Sequence, residues 1–482
     1  MAIALPALLC LASGFLLISL GWPRRSPNVP DHLFQLSLSV GYGLGIYSIV
    51  FFLLRLLGGT QLVLVDLGVF AFLLVTFYLF RNRRTIVNVP PVAETMRDRP
   101  AWLPGVLTAS FAVALCAALY SAVMRTLAYP HGDGWDAFSI WNLHARFLFR
   151  GGPHWRDGFT PLLPWSHPDY PLLLPAAIAH FWSYLGNDAP AVPAIIGLLF
   201  TFGTVGLMFS ALSILRGRNP ALLGTTALLA TPSFIELGTS QYADVPLSFF
   251  ILAAISLLCL HGDQRHNGVS HGSPGMLVLA GVAASCAAWT KNEGLLFLCA
   301  IVLSYLFVLL HDKATTKSWI SRARPLAPLL AATVPAVLLI AGFKHFIAPP
   351  GDLLSDPAAT LQKLLDPARY WAILRWYIKG FFLFGRWLLL PGTLLLLGLY
   401  FAGGKAGSDK SNAAIRTSLL TLALTLAGYF AVYLITPYDI YWHLRFSLTR
   451  LFLQLWPAAI FLFFLLLRYS PKASVQPGSV SK

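Results

Sequence analysis

The sequence predicts an all-α fold, a polytopic bundle of about 13 transmembrane helices. The 482 residues are 57% hydrophobic and only 11% charged, whereas a soluble domain carries roughly 25% charged residues. Apolar runs of about 17 to 25 residues recur along the chain, and each can cross a hydrocarbon core roughly 30 Å thick. These runs must be helices, because backbone groups in lipid have to be hydrogen-bonded within their own segment.

The apolar runs divide the chain into three parts. Residues 1–102 form an N-terminal extension with three spans, residues 103–468 form a membrane core, and residues 469–482 form a tail. The tail is rich in Ser, Pro, Lys and Gly, which predicts a disordered cytoplasmic segment. The spans are expected near residues 2–22, 33–57, 60–80, 103–126, 189–214, 220–237, 245–261, 275–290, 294–311, 326–347, 386–403, 417–435 and 450–468.

Basic residues predict the orientation of the bundle, because they cluster in short connectors as the positive-inside rule requires. The N-terminus, two long segments (127–188 and 348–385) and a short segment (436–449) then lie on the outer face. The net charge of +15 reflects this topology, and we expect no nucleic-acid partner. The basic connectors contain Arg24, Arg25, Arg81, Arg83, Arg84, Arg216, Arg218, Lys313, Lys317, Arg322 and Arg324.

The first outer segment alternates aromatic and charged residues, which is typical of helices that lie in the membrane interface. The stretch 171–186 is apolar, but it is short and contains proline. We therefore expect a re-entrant or interfacial helix there rather than a full crossing. The aromatic residues of the segment include Trp135, Phe138, Trp141, Phe147, Trp155 and Trp165.

No metal site or cofactor is expected. All five cysteines sit inside apolar runs, and none has a CxxC neighbour, so neither a disulfide framework nor a zinc site is supported. The sequence also lacks a Gly-rich nucleotide motif and a GxSxG elbow. These absences argue against an enzyme driven by a nucleotide sugar or by ATP.

Two carboxylates, Asp133 and Asp136, stand three residues apart just after the fourth span. Gly132 and Gly134 flank Asp133, and glycine lets a backbone approach a ligand closely. One carboxylate could act as a general base while the other orients it or binds substrate. The alternative is an exposed turn with solvated carboxylates.

More charged residues stand at the outer ends of later spans. Asp244 borders an apolar run, where a carboxylate is costly and often functional, although a helix dipole could also satisfy it. Lys291 and Glu293 interrupt one long apolar stretch. They either neutralise each other at a turn, or Lys291 faces a phosphate. Arg450 stands at the edge of the last apolar run, where it could also snorkel to the interface.

Other polar residues complete the candidate site. His167 lies near the end of the first long outer segment, while His443 and Arg445 precede Arg450 at the start of the last span. All these residues fall on one predicted face of the membrane. The combination of carboxylates and cations suits a reaction on an anionic lipid head group.

In this order the motifs resemble those of the GT-C superfamily of membrane glycosyltransferases, such as lipid A aminoarabinose transferases and protein O-mannosyltransferases. The similarity covers residues 103–468. Many relatives carry Asp-Glu where this chain has Asp136 followed by Ala137. The matching elements are the acidic motif at Asp136 with Asp133 beside it, the His-Pro stretch at His167, the Tyr-Ala-Asp element at Asp244, the Thr-Lys element at Lys291, and a basic residue of the last core span at Arg445 or Arg450.

The resemblance implies an inverting glycosyltransferase that moves a hexosyl or pentosyl group from a polyprenyl-phosphate sugar. Asp136 would take a proton from the acceptor hydroxyl, assisted by Asp133. Lys291 and Arg450 would stabilise the charge of the departing phosphate, a large catalytic effect when cations are preorganised. No metal or cofactor is required. The further donor- or acceptor-binding candidates are His167, Asp244, Glu293, His443 and Arg445.

The expected partners are the lipid-linked donor, a glycan, lipid or protein acceptor, and membrane lipids. The expected location is a bacterial inner membrane with the active site outside. Two alternatives remain at this point. A transporter or lipid flippase would carry ionisable residues near the bilayer midplane and an internal repeat, and no repeat is visible. A non-catalytic scaffold for envelope assembly could keep the same residues.

Overall fold

The computed structural model describes residues 3–23, 28–83, 102–266, 273–311, 318–354, 356–386 and 413–467, together with 392 and 396. This part of the chain is a helical bundle, so the predicted all-α class is confirmed. Its α-helices are α1 (Ala4–Gly21), α2 (Val29–Leu56), α3 (Leu62–Phe80), α4 (Leu103–Ala128), α5 (Asn142–Arg150), α6 (Leu173–Leu185), α7 (Ala191–Arg216), α8 (Arg218–Leu229), α9 (Pro232–Thr239), α10 (Asp244–His266), α11 (Pro274–Thr290), α12 (Asn292–Leu310), α13 (Trp319–Ala323), α14 (Ala327–Phe346), α15 (Pro357–Leu364), α16 (Pro367–Leu383), α17 (Ala413–Ile435) and α18 (Ile440–Leu466).

Within the described residues, 10 helices are long and apolar enough to cross a membrane. The polytopic prediction is therefore confirmed, and the described part of the chain holds up to 11 such spans if one bent pair of helices counts as a single span. The span expected at 220–237 is broken into α8 and α9, which meet at 65°. The break falls before Pro232, because proline disfavours the helical conformation in the preceding residue. Most of the span expected at 386–403, and all of the tail 469–482, lie outside the described residues.

α10 forms the centre of the bundle, where it packs against α7, α11, α17 and α18. Within its most apolar stretch, 94% of the residues are buried inside the protein, whereas the share is 11% in α3 and in α4. α3 and α4 therefore present most of their surface outward. Asp244 begins α10, which places this carboxylate at the end of the most buried helix.

α1 and α2 pack closely because glycines line their contact. A Cβ atom at Gly14 would lie 2.2 Å from the carbonyl oxygen of Ser39, and one at Gly43 would lie 2.0 Å from that of Cys10. Small residues at such crossings let two backbones approach each other in a membrane. α1 and α2 therefore form a closely packed helix pair.

The first outer segment folds into short helices with two kinds of aromatic residue. Trp135, Phe138 and Trp165 are exposed, while Trp141 and Trp155 are buried. The predicted short helix at 171–186 is α6, whose 13 residues are too few to cross a membrane. Its residues from Leu173 to Trp182 are all buried by the rest of the protein. Only part of this segment therefore offers the aromatic surface expected of an interfacial element.

Candidate active site

Five charged side chains meet where the start of α10, the break between α11 and α12, and α18 come together. They arise from four separate stretches of sequence, and all five were predicted site residues. Three are acidic and two are basic, so the group has one more carboxylate than cations. This charge cluster consists of Asp136, Asp244, Lys291, Glu293 and Arg450.

Asp244 is the centre of the charge cluster, and its side chain is fully buried. Lys291 Nζ donates to Oδ1 at 3.1 Å, and Gln454 Nε2 donates to the same oxygen at 2.6 Å. Arg450 Nε donates to Oδ2 at 2.9 Å. The N-terminal end of α10 also favours a negative charge. A buried carboxylate with two cationic partners and a hydrogen bond on each oxygen is stabilised in its charged form.

Arg450 joins two carboxylates through its planar guanidinium. Its Nη2 atom donates to Asp136 Oδ2 at 2.6 Å, while Nε binds Asp244. The guanidinium carbon also lies 4.7 Å from the centre of the Tyr242 ring, a favourable position for a cation. Burial, followed by the charge of Asp136, raises the pKa of Tyr242 to about 12. Tyr242 therefore stays a neutral phenol beside the cluster.

Lys291 and Glu293 lie at the break between α11 and α12, where Lys291 has an extended backbone with φ −160° and ψ 158°. Lys291 Nζ is 2.8 Å from Glu293 Oε1. Burial alone lowers the pKa of this ammonium, but the nearby carboxylates of Asp244 and Glu293 outweigh burial and hold the pKa above its ordinary value. The second oxygen of Glu293, Oε2, is buried and has no hydrogen-bond partner within the described residues.

Asp133 lies outside the charge cluster. It pairs with Arg125 near the end of α4, whereas Asp136 pairs with Arg450. The turn between them needs glycine, because Gly134 has φ +101° and a Cβ atom there would lie 2.4 Å from the hydroxyl of Tyr242. The two carboxylates expected to work as a pair thus face different partners.

The ring of Tyr170 lies between His167 and the charge cluster. Its ring stacks on Tyr170 with a centroid distance of 4.8 Å, and Tyr170 in turn stacks on Trp141. Lys291 Nζ lies 5.9 Å from the centre of the Tyr170 ring. Burial and the charges of Glu293 and Asp169 raise the pKa of Tyr170 well above its ordinary value.

The structure separates the three predicted residues at the start of α18. His443 forms a hydrogen bond of 2.9 Å between its Nδ1 and Thr436 Oγ1, and its ring lies 4.9 Å from that of Tyr433. Arg445 is exposed, with its guanidinium 5.8 Å from the Phe446 ring centre. Of the two arginines that the motif comparison left open, only Arg450 has contacts in the charge cluster.

A comparison with known families identifies the segment that carries part of this cluster. Residues 191–348 match the model of the dolichyl-phosphate-mannose-protein mannosyltransferase family. The predicted resemblance to GT-C membrane glycosyltransferases is thereby confirmed. The match covers less than half of the chain, and it includes Asp244, Lys291 and Glu293. No curated protein and no solved structure matches the chain.

The match supports the general enzyme class, a glycosyltransferase that depends on a polyprenyl-phosphate sugar. It also agrees with a multi-pass integral membrane protein. Within the described residues, no group of three or more His, Cys, Asp or Glu side chains could hold a metal ion.

Several polar residues around the charge cluster belong to none of the sequence motifs. Gln454 binds Asp244 and accepts a hydrogen bond of 2.7 Å from Tyr429. In the sequence, Gln454 could be recognised only as a single amide side chain within the apolar run of α18. A second group lies beside Glu293, where Asp169 Oδ2 accepts from Asn292 Nδ2 at 2.8 Å and lies 3.6 Å from Lys344 Nζ.

Proposed function

We propose that the protein is an inverting glycosyltransferase that moves a sugar from a polyprenyl-phosphate donor to an acceptor hydroxyl on the outer face of the membrane. The observation that carries this proposal is the charge cluster itself. Asp136 is a partly accessible carboxylate beside Arg450, and Asp244 holds Arg450 and Lys291 in place from behind. A candidate base and two fixed cations thus stand side by side.

The two cations suit the phosphate of the donor. A donor phosphodiester carries one negative charge, and the phosphate gains a second when the sugar leaves. Lys291 and Arg450 are held by a buried carboxylate, so their positions are set before the charge develops. Preorganised cations of this kind stabilise a transition state strongly, because they need no reorganisation during the reaction.

Asp136 suits the role of general base. It takes the proton of the acceptor hydroxyl, while the acceptor oxygen forms a bond to the anomeric carbon from the face opposite the phosphate. The bond between that carbon and the phosphate oxygen breaks, and its electron pair leaves with the phosphate. In the structure, Arg450 Nη2 donates to Asp136 Oδ2. A donor phosphate would compete for Arg450 and release Asp136 to accept the proton.

An apolar groove beside α18 supports a lipid-linked donor. The groove has a volume of about 430 Å³, and its walls come from α16, α17 and α18. Tyr377, Leu426, Phe452 and Trp456 are among its lining residues. Phe452 stands on the same helix as Arg450, so an isoprenoid chain in the groove would lie along the helix that carries one of the two cations. A water-soluble nucleotide sugar would leave this groove without an occupant.

The positions of the basic residues relative to the charge cluster support the outer orientation. Asp244 begins α10, whereas Arg216 and Arg218 lie at the opposite end of the α8–α9 pair. Arg81 and Arg322 lie in connectors of the same predicted side as Arg216. Because basic connectors stay in the cytoplasm, we place the charge cluster on the outer face, in a bacterial inner membrane.

Transfer in vitro tests the proposal. Purified protein in lipid nanodiscs is incubated with radiolabelled polyprenyl-phosphate sugars and with glycan, lipid or peptide acceptors. We expect label to move to an acceptor, and a deletion strain to lose the same sugar from its envelope glycans or lipids by mass spectrometry. Failure of a well-folded protein to release polyprenyl phosphate from any such donor would overturn the proposal.

A further inference from the structure

α2 belongs to the N-terminal extension, which lies outside the segment that matches the mannosyltransferase family. It is nevertheless one of the most deeply packed helices, with 67% of its most apolar stretch buried. It contacts α6, α7 and α11 as well as α1. The hydroxyl of Tyr42 donates to the carbonyl of Leu279 at 2.5 Å, and Gly45 lies against Cys286. α2 therefore lies against the length of α11, toward the end that leads to Lys291.

Ser48 is the polar residue of α2 that lies nearest to this end of α11. Its Oγ accepts a hydrogen bond of 3.1 Å from Trp289 Nε1 and donates one of 3.3 Å to the carbonyl oxygen of Leu172. Ser48, Trp289 and Leu172 are all fully buried. One hydroxyl thus connects two segments that are far apart in the sequence.

Both partners of Ser48 adjoin residues of the candidate site. Trp289 precedes Lys291 by two residues, and Leu172 follows Tyr170 by two. Lys291 Nζ and the Tyr170 ring are themselves neighbours, at 5.9 Å. Phe52, one turn after Ser48 in α2, also packs against Trp289, with ring centroids 5.3 Å apart. The contact with α2 therefore holds one segment just before Lys291 and the other just after Tyr170.

We infer that Ser48 is a positioning residue of the active site. α2 therefore contributes to the site, although it precedes the predicted catalytic core. Ser48 holds the Trp289 side chain and the Leu172 backbone at a fixed separation. This separation determines the distance between Lys291 Nζ and the Tyr170 ring. The inference rests on the proposed function, because it matters for catalysis only if Lys291 binds the donor phosphate.

Hydrogen–deuterium exchange tests the structural half of the inference without any need for activity. Ser48→Ala removes both hydrogen bonds and leaves Trp289 Nε1 buried without a partner. We expect faster exchange of the backbone amides of 289–294 and 170–173. Ser39→Ala is the matched control: Ser39 is fully buried on the same helix, but among the described residues its hydroxyl donates only to Leu36 of its own helix. Equal exchange in the two variants would overturn the inference.

Kinetics test the catalytic half. A small misplacement of a catalytic group can cost about 10²-fold in rate, so we expect Ser48→Ala to lower kcat/KM for the donor about tenfold to a hundredfold. The KM for the acceptor should not change, and Ser39→Ala should retain full activity. Trp289→Phe removes the donor of the same hydrogen bond and should act like Ser48→Ala.

The double variant separates a specific contact from a general weakening. If the Ser48–Trp289 bond carries the effect, Ser48→Ala combined with Trp289→Phe loses no more activity than either single variant. Additive losses, or an unchanged donor kcat/KM in Ser48→Ala, would overturn the positioning role. An inactive wild-type protein would instead count against the proposed function, and the exchange measurement would still decide whether Ser48 holds the Lys291 segment.

Discussion

The guanidinium of Arg450 and the ammonium of Lys291 bind opposite oxygens of one buried carboxylate. Arg450 Nε lies 2.9 Å from Asp244 Oδ2, and Lys291 Nζ lies 3.1 Å from Asp244 Oδ1. Asp244 is therefore the common anchor of the two cations assigned to the donor phosphate. Removal of any one of the three leaves the others buried and incompletely paired, which typically costs several kcal/mol of stability. Loss of activity in an alanine variant at any of these positions would therefore not distinguish a folding defect from a catalytic defect.

Arg450→Lys avoids this difficulty, because it keeps the positive charge. A lysine ammonium is a point charge and cannot reproduce the fork that binds Asp136 and Asp244 together. We expect the variant to insert and fold, with kcat lowered about 10²–10³-fold, as for loss of one preorganised donor. Transfer from a radiolabelled donor measures the rate, and thermal unfolding measures the fold. Arg445→Lys is the control, since Arg445 is exposed on the same helix. Equal activity in the two variants would contradict the role of Arg450.

The residues of the charge cluster could be predicted from the sequence for a physical reason. A charged side chain at the end of an apolar run is costly in a membrane unless it is paired. Asp244, Lys291 and Arg450 all stand at such positions, so each needs an opposite charge nearby. The sequence could not predict which pairs form. That depends on how α10, α11 and α18 pack, and the choice between Arg445 and Arg450 needed the structure.

Two further features of the structure have local causes that the motifs did not reveal. Asp133 and Asp136 are close in sequence, but the left-handed backbone at Gly134 turns the chain between them, and Arg125 draws Asp133 toward α4. A span is expected near 220–237, and Pro232 within this stretch divides it into α8 and α9. Gln454 and Ser48 are single polar residues within apolar helices, and no sequence motif includes either of them. Their importance depends on contacts with distant segments, which no local pattern reveals.

Filling the apolar groove should impair lipid-linked donors selectively. Ala459 lines the groove on α18, and Ala459→Trp would occupy much of its volume. We expect KM to rise about tenfold for a donor with a long isoprenoid chain, which corresponds to about 1.4 kcal/mol of lost binding. A donor with a chain of two isoprene units should be almost unaffected. Leu338→Trp is the control, because Leu338 is 67% exposed on α14, away from the groove. An equal effect on long and short donors would rule out the groove as the chain-binding site.

His144 should make the outer segment sensitive to acid. Its imidazole is fully buried against Phe159, and burial, followed by the charge of His167, lowers its pKa to about 3. The unfolded state has an ordinary pKa near 6.5, so it binds more protons than the folded state between about pH 6.5 and pH 3. Stability therefore falls as the pH falls through this window.

Thermal unfolding between pH 4 and pH 7 checks the role of His144. His144→Phe keeps a ring of similar size without a titrating group, so the decrease in Tm toward low pH should be smaller than in the wild type. His154→Phe is the matched control, because the His154 side chain is 82% exposed. The same pH dependence in wild type and in His144→Phe would show that other groups cause the acid sensitivity.

Labelling with an impermeant thiol reagent tests the orientation. After replacement of the exposed Cys116 and Cys299 by serine, a cysteine at His154 should react from outside intact cells. A cysteine at Ser318, which is exposed in the connector before α13, should react only after the membrane is opened. Gly158 is a poor labelling site, since a Cβ atom there would lie 2.6 Å from the Phe147 ring. The reverse pattern would place the charge cluster in the cytoplasm and exclude the proposed outer-face reaction.

Asp136 gives the most direct test of the chemistry. Asp136→Asn keeps the size of the side chain and removes the proton acceptor, and loss of a general base typically costs about 10²–10⁴-fold in rate. Arg450 remains held by Asp244 in this variant, so the fold should persist. Asp133→Asn should change the rate only slightly, because Asp133 faces Arg125 at the end of α4. Asp157→Asn should be silent, since the Asp157 side chain is 68% exposed and lies outside the cluster.

The comparison between these three variants assigns the base, because all of them replace a carboxylate by an amide in the same outer segment. Each is measured by transfer from a radiolabelled polyprenyl-phosphate sugar, after its membrane insertion has been checked. Near wild-type activity in Asp136→Asn would overturn the assignment. Glu293 would then be the next candidate for the base, because its Oε2 atom accepts no hydrogen bond within the described residues, whereas both oxygens of Asp244 are already bound by donors. Glu293→Gln would in that case abolish transfer.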